Sequence, residues 1–235
     1  MEADLRGTQD EPEGTLRVLV PHAFGQEHLI APLADYLGRY PRVSVEWMLH
    51  DRRPDFIAEG IDCAIQVGVV DNPSVVAIKL FDVPRIVVAS PQLMAHNSSP
   101  QEVDHLHTLP WLAFRTFYRE EVALTRHADG AQHAFAIQPR MSTDSLYALR
   151  TAVASGLGAG IISAWLVADD IAQGRLLHLA PDWRAPPLPV YLVYPHARYY
   201  PARLRLFLDT IRAMQPLGQE LDVPKAGGKT SGKKS

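Results

Sequence analysis

The feature that most constrains this chain is a run of five alternating elements between Leu16 and Val67. Leu16-Arg17-Val18-Leu19-Val20 reads as a buried strand, and Leu29, Leu33, Leu37 and Tyr40 then recur at the three-to-four spacing of a helix that Pro41 stops. Val43-Ser44-Val45-Glu46-Trp47 alternates as a second strand. A charged connection with Asp51, Arg52 and Arg53 leads to a brief helix ending at Gly60, and Ile61 to Val67 forms a third strand. This order builds a mainly parallel sheet covered by helices.

The later pattern is of the same kind. Val75 to Ser90 is a long β-prone stretch interrupted by Asp82 and Pro84, with a loop around Asn97-Ser98-Ser99-Pro100 beyond it. Short strands are expected at Trp111–Phe114 and Ala134–Ile137, separated by a polar stretch. A helix opening near Ser142 or Thr143 carries Leu146, Leu149 and Val153 and closes at Gly156. The strand Gly160-Ile161-Ile162-Ser163 leads into a helix through Leu166 and Ile171 that stops at Gln173-Gly174. After the proline-rich segment Pro181 to Pro189 come the strand Val190–Tyr194 and a last helix with Leu204, Phe207, Leu208, Ile211 and Met214 as its stripe. Two α/β lobes result. If the last strand and helix return to the first lobe, the chain crosses twice, near 90 and 188, and leaves a cleft of the kind that takes small ligands.

Composition narrows the function. With 47% apolar and 21% charged residues in 235, the chain can bury a sizeable core. The acidic lead 1–14 and the lysine-bearing tail 215–235 carry most of the formal charge of −3, so the body is close to neutral. That gives no electrostatic footprint for nucleic acid. The glycine, serine and lysine of Lys225 to Ser235 read as a solvated tail. The single cysteine, Cys63, lies in an apolar run and reads as a packed, inert thiol. The segment Met1 to Arg6 has no apolar core segment for a secretory signal, and no apolar run approaches the ~20 residues of a membrane helix. A cytoplasmic location without membrane attachment is expected.

The motifs argue against catalysis and against a cofactor. Gly156-Leu157-Gly158-Ala159-Gly160 follows a helix and precedes a strand, the reverse of a dinucleotide loop, so it reads as a tight turn. Of ten histidines only His105 and His107 are close, and no metal-ligand set accompanies them. Neither Ser155 nor Ser145 lies in a nucleophile elbow. The positive signal is a pair of helix openings, His22-Ala23-Phe24-Gly25 and Ser142-Thr143-Asp144, which can each aim amides at an anion, with Arg52 and Arg53 as a guanidinium clamp. The same residues also fit ordinary caps and surface arginines.

The order of Gly14-Thr15-Leu16-Arg17-Val18, Tyr40-Pro41-Arg42-Val43, Ile61-Asp62-Cys63-Ala64-Ile65, Ala89-Ser90-Pro91, Ala154-Ser155-Gly156-Leu157-Gly158-Ala159-Gly160-Ile161, Gly174-Arg175-Leu176, Val193-Tyr194-Pro195 and Arg205-Leu206-Phe207-Leu208 resembles the effector-binding domain of LysR-type transcriptional regulators over about 15–214. The resemblance implies an α/β, two-lobed type 2 periplasmic-binding-protein-like fold with two crossover strands. Its parts would be a linker remnant at 1–14, subdomain I at 15–89 and 189–214, subdomain II at 90–188, and the basic tail 215–235. It further implies a small-molecule effector held by His22, Ala23 and Phe24; by Arg52; by Gln66, Val67 and Gly68; by Phe114 and Arg115; and by Ser142, Thr143 and Asp144. Members often carry serine or threonine at the first of these places. Ala23 and Val67 depart from that, which favours a more apolar or aromatic effector alongside the anionic class.

Full-length members carry an N-terminal winged helix-turn-helix and a linker helix. Only 14 residues precede the sensor here, with Glu2 to Gln9 resembling the end of that linker, so DNA is expected to be reached only through a helix-turn-helix domain missing from this chain. Side-by-side homodimers are implied, with Phe24 to Arg39 and Val43 to Trp47 as the expected surface. The competing readings are a transport-type solute-binding protein of the same fold, an enzyme on a related scaffold, and weak, sequence-blind DNA binding through the lysine tail.

Overall fold

The computed structural model describes residues 11–95 and 102–214. Its elements are β1 (Gly14–Val20), α1 (His22–Glu27), α2 (Ile30–Arg39), β2 (Val43–Leu49), β3 (Cys63–Val67), β4 (Val75–Ala89), α3 (Pro91–Ala95), β5 (Leu112–Phe114), β6 (Glu121–Arg126), β7 (Gln132–Ala136), β8 (Met141–Thr143), α4 (Leu146–Ala154), β9 (Gly160–Ser163), α5 (Ala164–Ala172), β10 (Leu177–Leu179), β11 (Trp183–Pro195) and α6 (Ala202–Arg212), with a 3₁₀ turn at Val103–Thr108. The loop around Asn97 to Pro100, the tail 215–235 and most of the lead lie outside the described residues.

Two compact units share these elements: 11–82 with 188–214, and the described residues of 83–187. The chain passes from the first to the second inside β4, after Asp82, and returns inside β11, after Pro187. Sequence places the first passage nearer Ser90, because Ser90-Pro91 breaks the β pattern there. Pro84 does not break it, since a proline withholds only its own N–H from the ladder and β4 continues through it to Ala89.

In the first unit β1 is central and parallel to both β2 and β3, and β11 returns antiparallel on β3, pairing Val190 with Val67 and Val193 with Ala64. Leu16, Val18 and Val20 are fully buried, which the apolar run of β1 anticipates. The stripes of α2 and α6 meet at Tyr36, whose ring stands edge-on to Phe207 at 5.3 Å and whose hydroxyl donates to the Arg203 carbonyl at 2.6 Å. Burial pushes the Tyr36 phenol up to about 12.

Two local expectations change here. The first helix is split into α1 and α2, with Leu29 buried at the joint. The brief helix before Gly60 is instead a series of turns. There Asp55 accepts from the Ala58 N–H at 3.0 Å and Glu59 accepts from the Asp55 N–H at 3.3 Å, so side chains take amides that a longer helix would use.

In the second unit β4 carries β10 and β9, both antiparallel, pairing Leu177 with Ala89 and Arg85 with Ser163. The polar stretch after Phe114 contains half of a β-hairpin, β6 on β7, with Val122 opposite Phe135 and buried Val122 and Leu124 facing the core. β6 also pairs with the start of β11, Trp183 opposite Arg126. β5 and β8 run parallel, with Leu112, Ala113 and Phe114 opposite Met141, Ser142 and Thr143. Gly156 to Gly160 lead from α4 to β9, and a Cβ on Gly158 would stand 2.7 Å from the Pro110 carbonyl oxygen, so only glycine lets the turn pass β5 that closely. A first unit left and re-entered by the chain, parallel β2-β1-β3 with an antiparallel return, and a second α/β unit inserted between them define the two-lobed type 2 periplasmic-binding-protein-like fold.

Candidate functional site

Because β1, β2 and β3 are parallel, the segments that follow them emerge at one edge of the first unit, the carboxyl edge where open α/β sheets hold ligands. His22, Ala23 and Phe24 follow β1 as the first turn of α1, Arg52 follows β2, and Gln66, Val67 and Gly68 end β3. Ala23 and Phe24 are buried, and the Phe24 ring packs on Phe81 at 5.4 Å and on His28 at 5.1 Å. Their side chains therefore support the turn from below. α1 itself sits unusually close to the strands: a Cβ on Gly25 would come within 2.5 Å of a Val20 methyl and 2.8 Å of a Leu49 methyl.

The polar groups of this edge already have protein partners. The His22 N–H donates to Asp51 Oδ1 at 3.1 Å, so the first amide of α1 is occupied by a carboxylate. Arg52 holds Glu59 through both terminal nitrogens, the Nη1 to Oε1 distance being 2.5 Å, and its hydrogen bonds hold the Glu59 carboxyl below the usual carboxylate range. Gln66 donates from Nε2 to the Val69 carbonyl at 2.9 Å, and the Gly68 N–H donates to the Pro189 carbonyl at 2.8 Å. Arg53 pairs with Asp71 at 2.6 Å.

The second unit brings together another set. The pairing of β5 with β8 puts Phe114 opposite Thr143 at their carboxyl ends, and the Arg115 N–H donates to the Thr143 carbonyl at 2.9 Å. Sequence expects α4 to open at Ser142 or Thr143. Instead Met141 to Thr143 form β8 and Ser145 is the N-cap, its hydroxyl accepting from the Ala148 N–H at 3.2 Å. The reason is the parallel ladder to β5, which keeps these residues extended one turn longer. Thr143 Oγ1 accepts from the Ser145 N–H at 3.0 Å, and Ser142 and Asp144 are exposed beside it. Ser145 has a local signal, a small hydroxyl residue just before the apolar stripe. Asp51 and Glu59 have none, since their partners are set by tertiary neighbours.

Behind this set is a rigid polar frame. Asp170, 3% exposed, accepts from Arg150 Nε at 2.5 Å and from Arg175 Nε at 2.7 Å. Burial pushes its carboxyl up, but the two guanidiniums outweigh that and hold it below the ordinary range. Tyr118 donates from its hydroxyl to the Leu112 carbonyl at 2.8 Å and accepts from the Ile161 N–H at 2.9 Å, and burial pushes its phenol up to about 12. Cys63 is fully buried in the first unit, its thiol pushed up by burial, as an inert packed cysteine would be. Among the described residues no helix is long and apolar enough to cross a membrane.

The fold is that of a two-lobed periplasmic-binding-protein-like module. The family comparison is specific: the model of the LysR substrate binding domain matches residues 9–216. The HTH-type transcriptional regulator PtxR of Pseudomonas aeruginosa is 30% identical over 226 residues, covering 93% of this chain and 69% of PtxR. The regulatory domain of CrgA, a LysR-type transcriptional regulator from Neisseria meningitidis, superposes with a TM-score of 0.72 at 27% identity, covering 87% of this chain and all of that one. Full-length AphB of Vibrio cholerae shares the fold, with a TM-score of 0.75 at 23% identity, over 87% of this chain and 69% of that chain. The chain belongs to the LysR substrate binding domain family and is the effector-binding domain of a LysR-type transcriptional regulator, which sets it apart from transport-type solute-binding proteins.

Proposed function

We propose that this domain senses a small anionic or aromatic metabolite at the carboxyl ends of its parallel strands and passes the binding event to DNA-binding domains in a homodimeric, cytoplasmic regulator. The reading is one of binding, without catalysis or cofactor. The sensing part is taken as both units together, over about 15–214. The observation that carries it is the grouping of His22 to Phe24, Arg52 and Gln66 to Gly68 at one strand edge, and of Phe114, Arg115 and Ser142 to Asp144 at another. Within the first set the His22 N–H, Arg52 and Gln66 are engaged by Asp51, Glu59 and Val69, and Ala23 and Phe24 are buried beneath them. Polar recognition is assigned to Ser142, Thr143 and the backbone before α4. A ligand signals only if it binds one arrangement of the protein better than another.

The test is a thermal-shift screen against small carboxylates, aromatic acids and amino acids. A ligand at 100 times its Kd adds about 2.7 kcal/mol of stability. The expected result is a specific hit that Thr143→Ala weakens while the ligand-free melting temperature stays within a few degrees. A hit unaffected by both Thr143→Ala and Arg52→Ala removes these residues from the site.

A further inference from the structure

Arg85 is the one described arginine that is buried, at 7% exposure, and no carboxylate is paired with it. Its Nε and Nη2 both donate to the Pro186 carbonyl, at 2.9 and 2.6 Å, while Nη1 is buried without a hydrogen-bond partner. A buried guanidinium is ordinarily matched by an acid, because unpaired charged donors removed from water are strongly unfavourable. Here the Phe117 ring stacks over the guanidinium at 5.8 Å. The group lines a cavity of about 360 Å³ formed wholly by the second unit, with Phe117, Ile161, Ala185 and Pro186 as apolar wall and Arg119, Glu120 and Glu121 beside them. Burial lowers the guanidinium only to about 10, so it is cationic at neutral pH.

These features specify an occupant. The orphaned nitrogen offers two N–H groups to one acceptor group. The flanking arginine and two glutamates leave no surplus of positive charge for a dianion, and the wall accepts an apolar body. We propose that this cavity is a binding site for a small monocarboxylate, its carboxylate on Arg85 Nη1 and its apolar part against Phe117, Ile161 and Pro186. Phe117, half-buried over the guanidinium, is the side chain that shifts to admit it. The cavity lining shares no residue with the strand-end set assigned above, although the Phe117 ring packs on Phe114 at 5.4 Å.

Benzoate and its uncharged counterpart benzamide are the probes, titrated into the whole chain by calorimetry and by NMR of the isoleucine methyls. Benzoate is expected to move the Ile161 methyl resonance and benzamide to leave it in place. Arg85→Met removes the anchor, and Ala123→Phe, at an exposed position lining the cavity, blocks it without touching Arg85. Each is expected to weaken benzoate at least tenfold. If Arg85→Met does not fold, Ala123→Phe decides alone. Benzamide binding as tightly as benzoate, an Ile161 methyl that does not respond, or unchanged affinity in a folded variant overturns the proposal.

Discussion

The strand edge of the first unit and the interior of the second treat their charged groups in opposite ways. At the carboxyl edge of β1 to β3 the charges sit at the surface and are matched there, Arg52 to Glu59 and Arg53 to Asp71. In the second unit three titratable side chains are buried: Asp170 under Arg150 and Arg175, Tyr118 between Leu112 and Ile161, and Arg85 on Pro186. A surface pair adds little to stability and can exchange a partner for a ligand, whereas a buried network fixes geometry and is damaged by the loss of one member. The first unit thus supplies an adjustable edge and the second a stiff one.

The largest test of that contrast is Asp170→Asn, which leaves two guanidiniums facing an amide. A loss of about 3 kcal/mol is expected by urea denaturation, the lower end for breaking a buried pair because both arginines keep some contact with water. The pH dependence follows in sign. The Asp170 carboxyl titrates lower in the folded than in the unfolded chain, so its contribution is complete above the ordinary carboxylate range and is lost as pH falls below about 4. Asp170→Asn should flatten that acid limb. Tyr118→Phe strips partners from the Leu112 carbonyl and the Ile161 N–H and is expected to cost about 2 kcal/mol, read in the same experiment.

Ser145→Ala removes the cap of α4 for about 1 kcal/mol. Smallest of all in stability is Glu59→Gln, at the surface of the first unit, for which no shift of the unfolding midpoint is expected. It releases Arg52, so an anionic effector should bind more tightly, a gain that calorimetry would read. A stability loss in Glu59→Gln comparable to that of Asp170→Asn would erase the contrast.

How much of this was legible in the sequence depended on how local the cause was. The strand Gly160–Ser163 was readable because apolar β-branched residues follow a glycine-rich turn, and α6 because its stripe holds the helical spacing. The hairpin of β6 and β7 was less so, although Asp129-Gly130 sits at its turn and Val122 and Leu124 alternate, because Ala123, Ala134 and Ala136 on the outward face blunt the contrast between apolar and polar positions. β11 carries Pro186, Pro187 and Pro189, which locally read as a break, yet the strand runs from Trp183 to Pro195. Of the candidate site, the ends of the strands could be placed from their apolar patterns, while the site residues at those ends came from the family resemblance. That Arg52 is held by Glu59, and that Ser145 rather than Thr143 caps α4, depended on pairings fixed only when β1, β2, β5 and β8 come together.

The closeness of Gly25 to Val20 and Leu49 bears on how such a sensor diversifies. Any side chain there would lift α1 off the ends of β1 and β2 and carry His22 with it, so the turn is frozen whatever the effector. Exposed Ser142 and Asp144 are under no such restraint. In a library selected for a new inducer, productive changes should therefore accumulate on the β8 side, while Gly25 stays invariant without ever meeting the ligand.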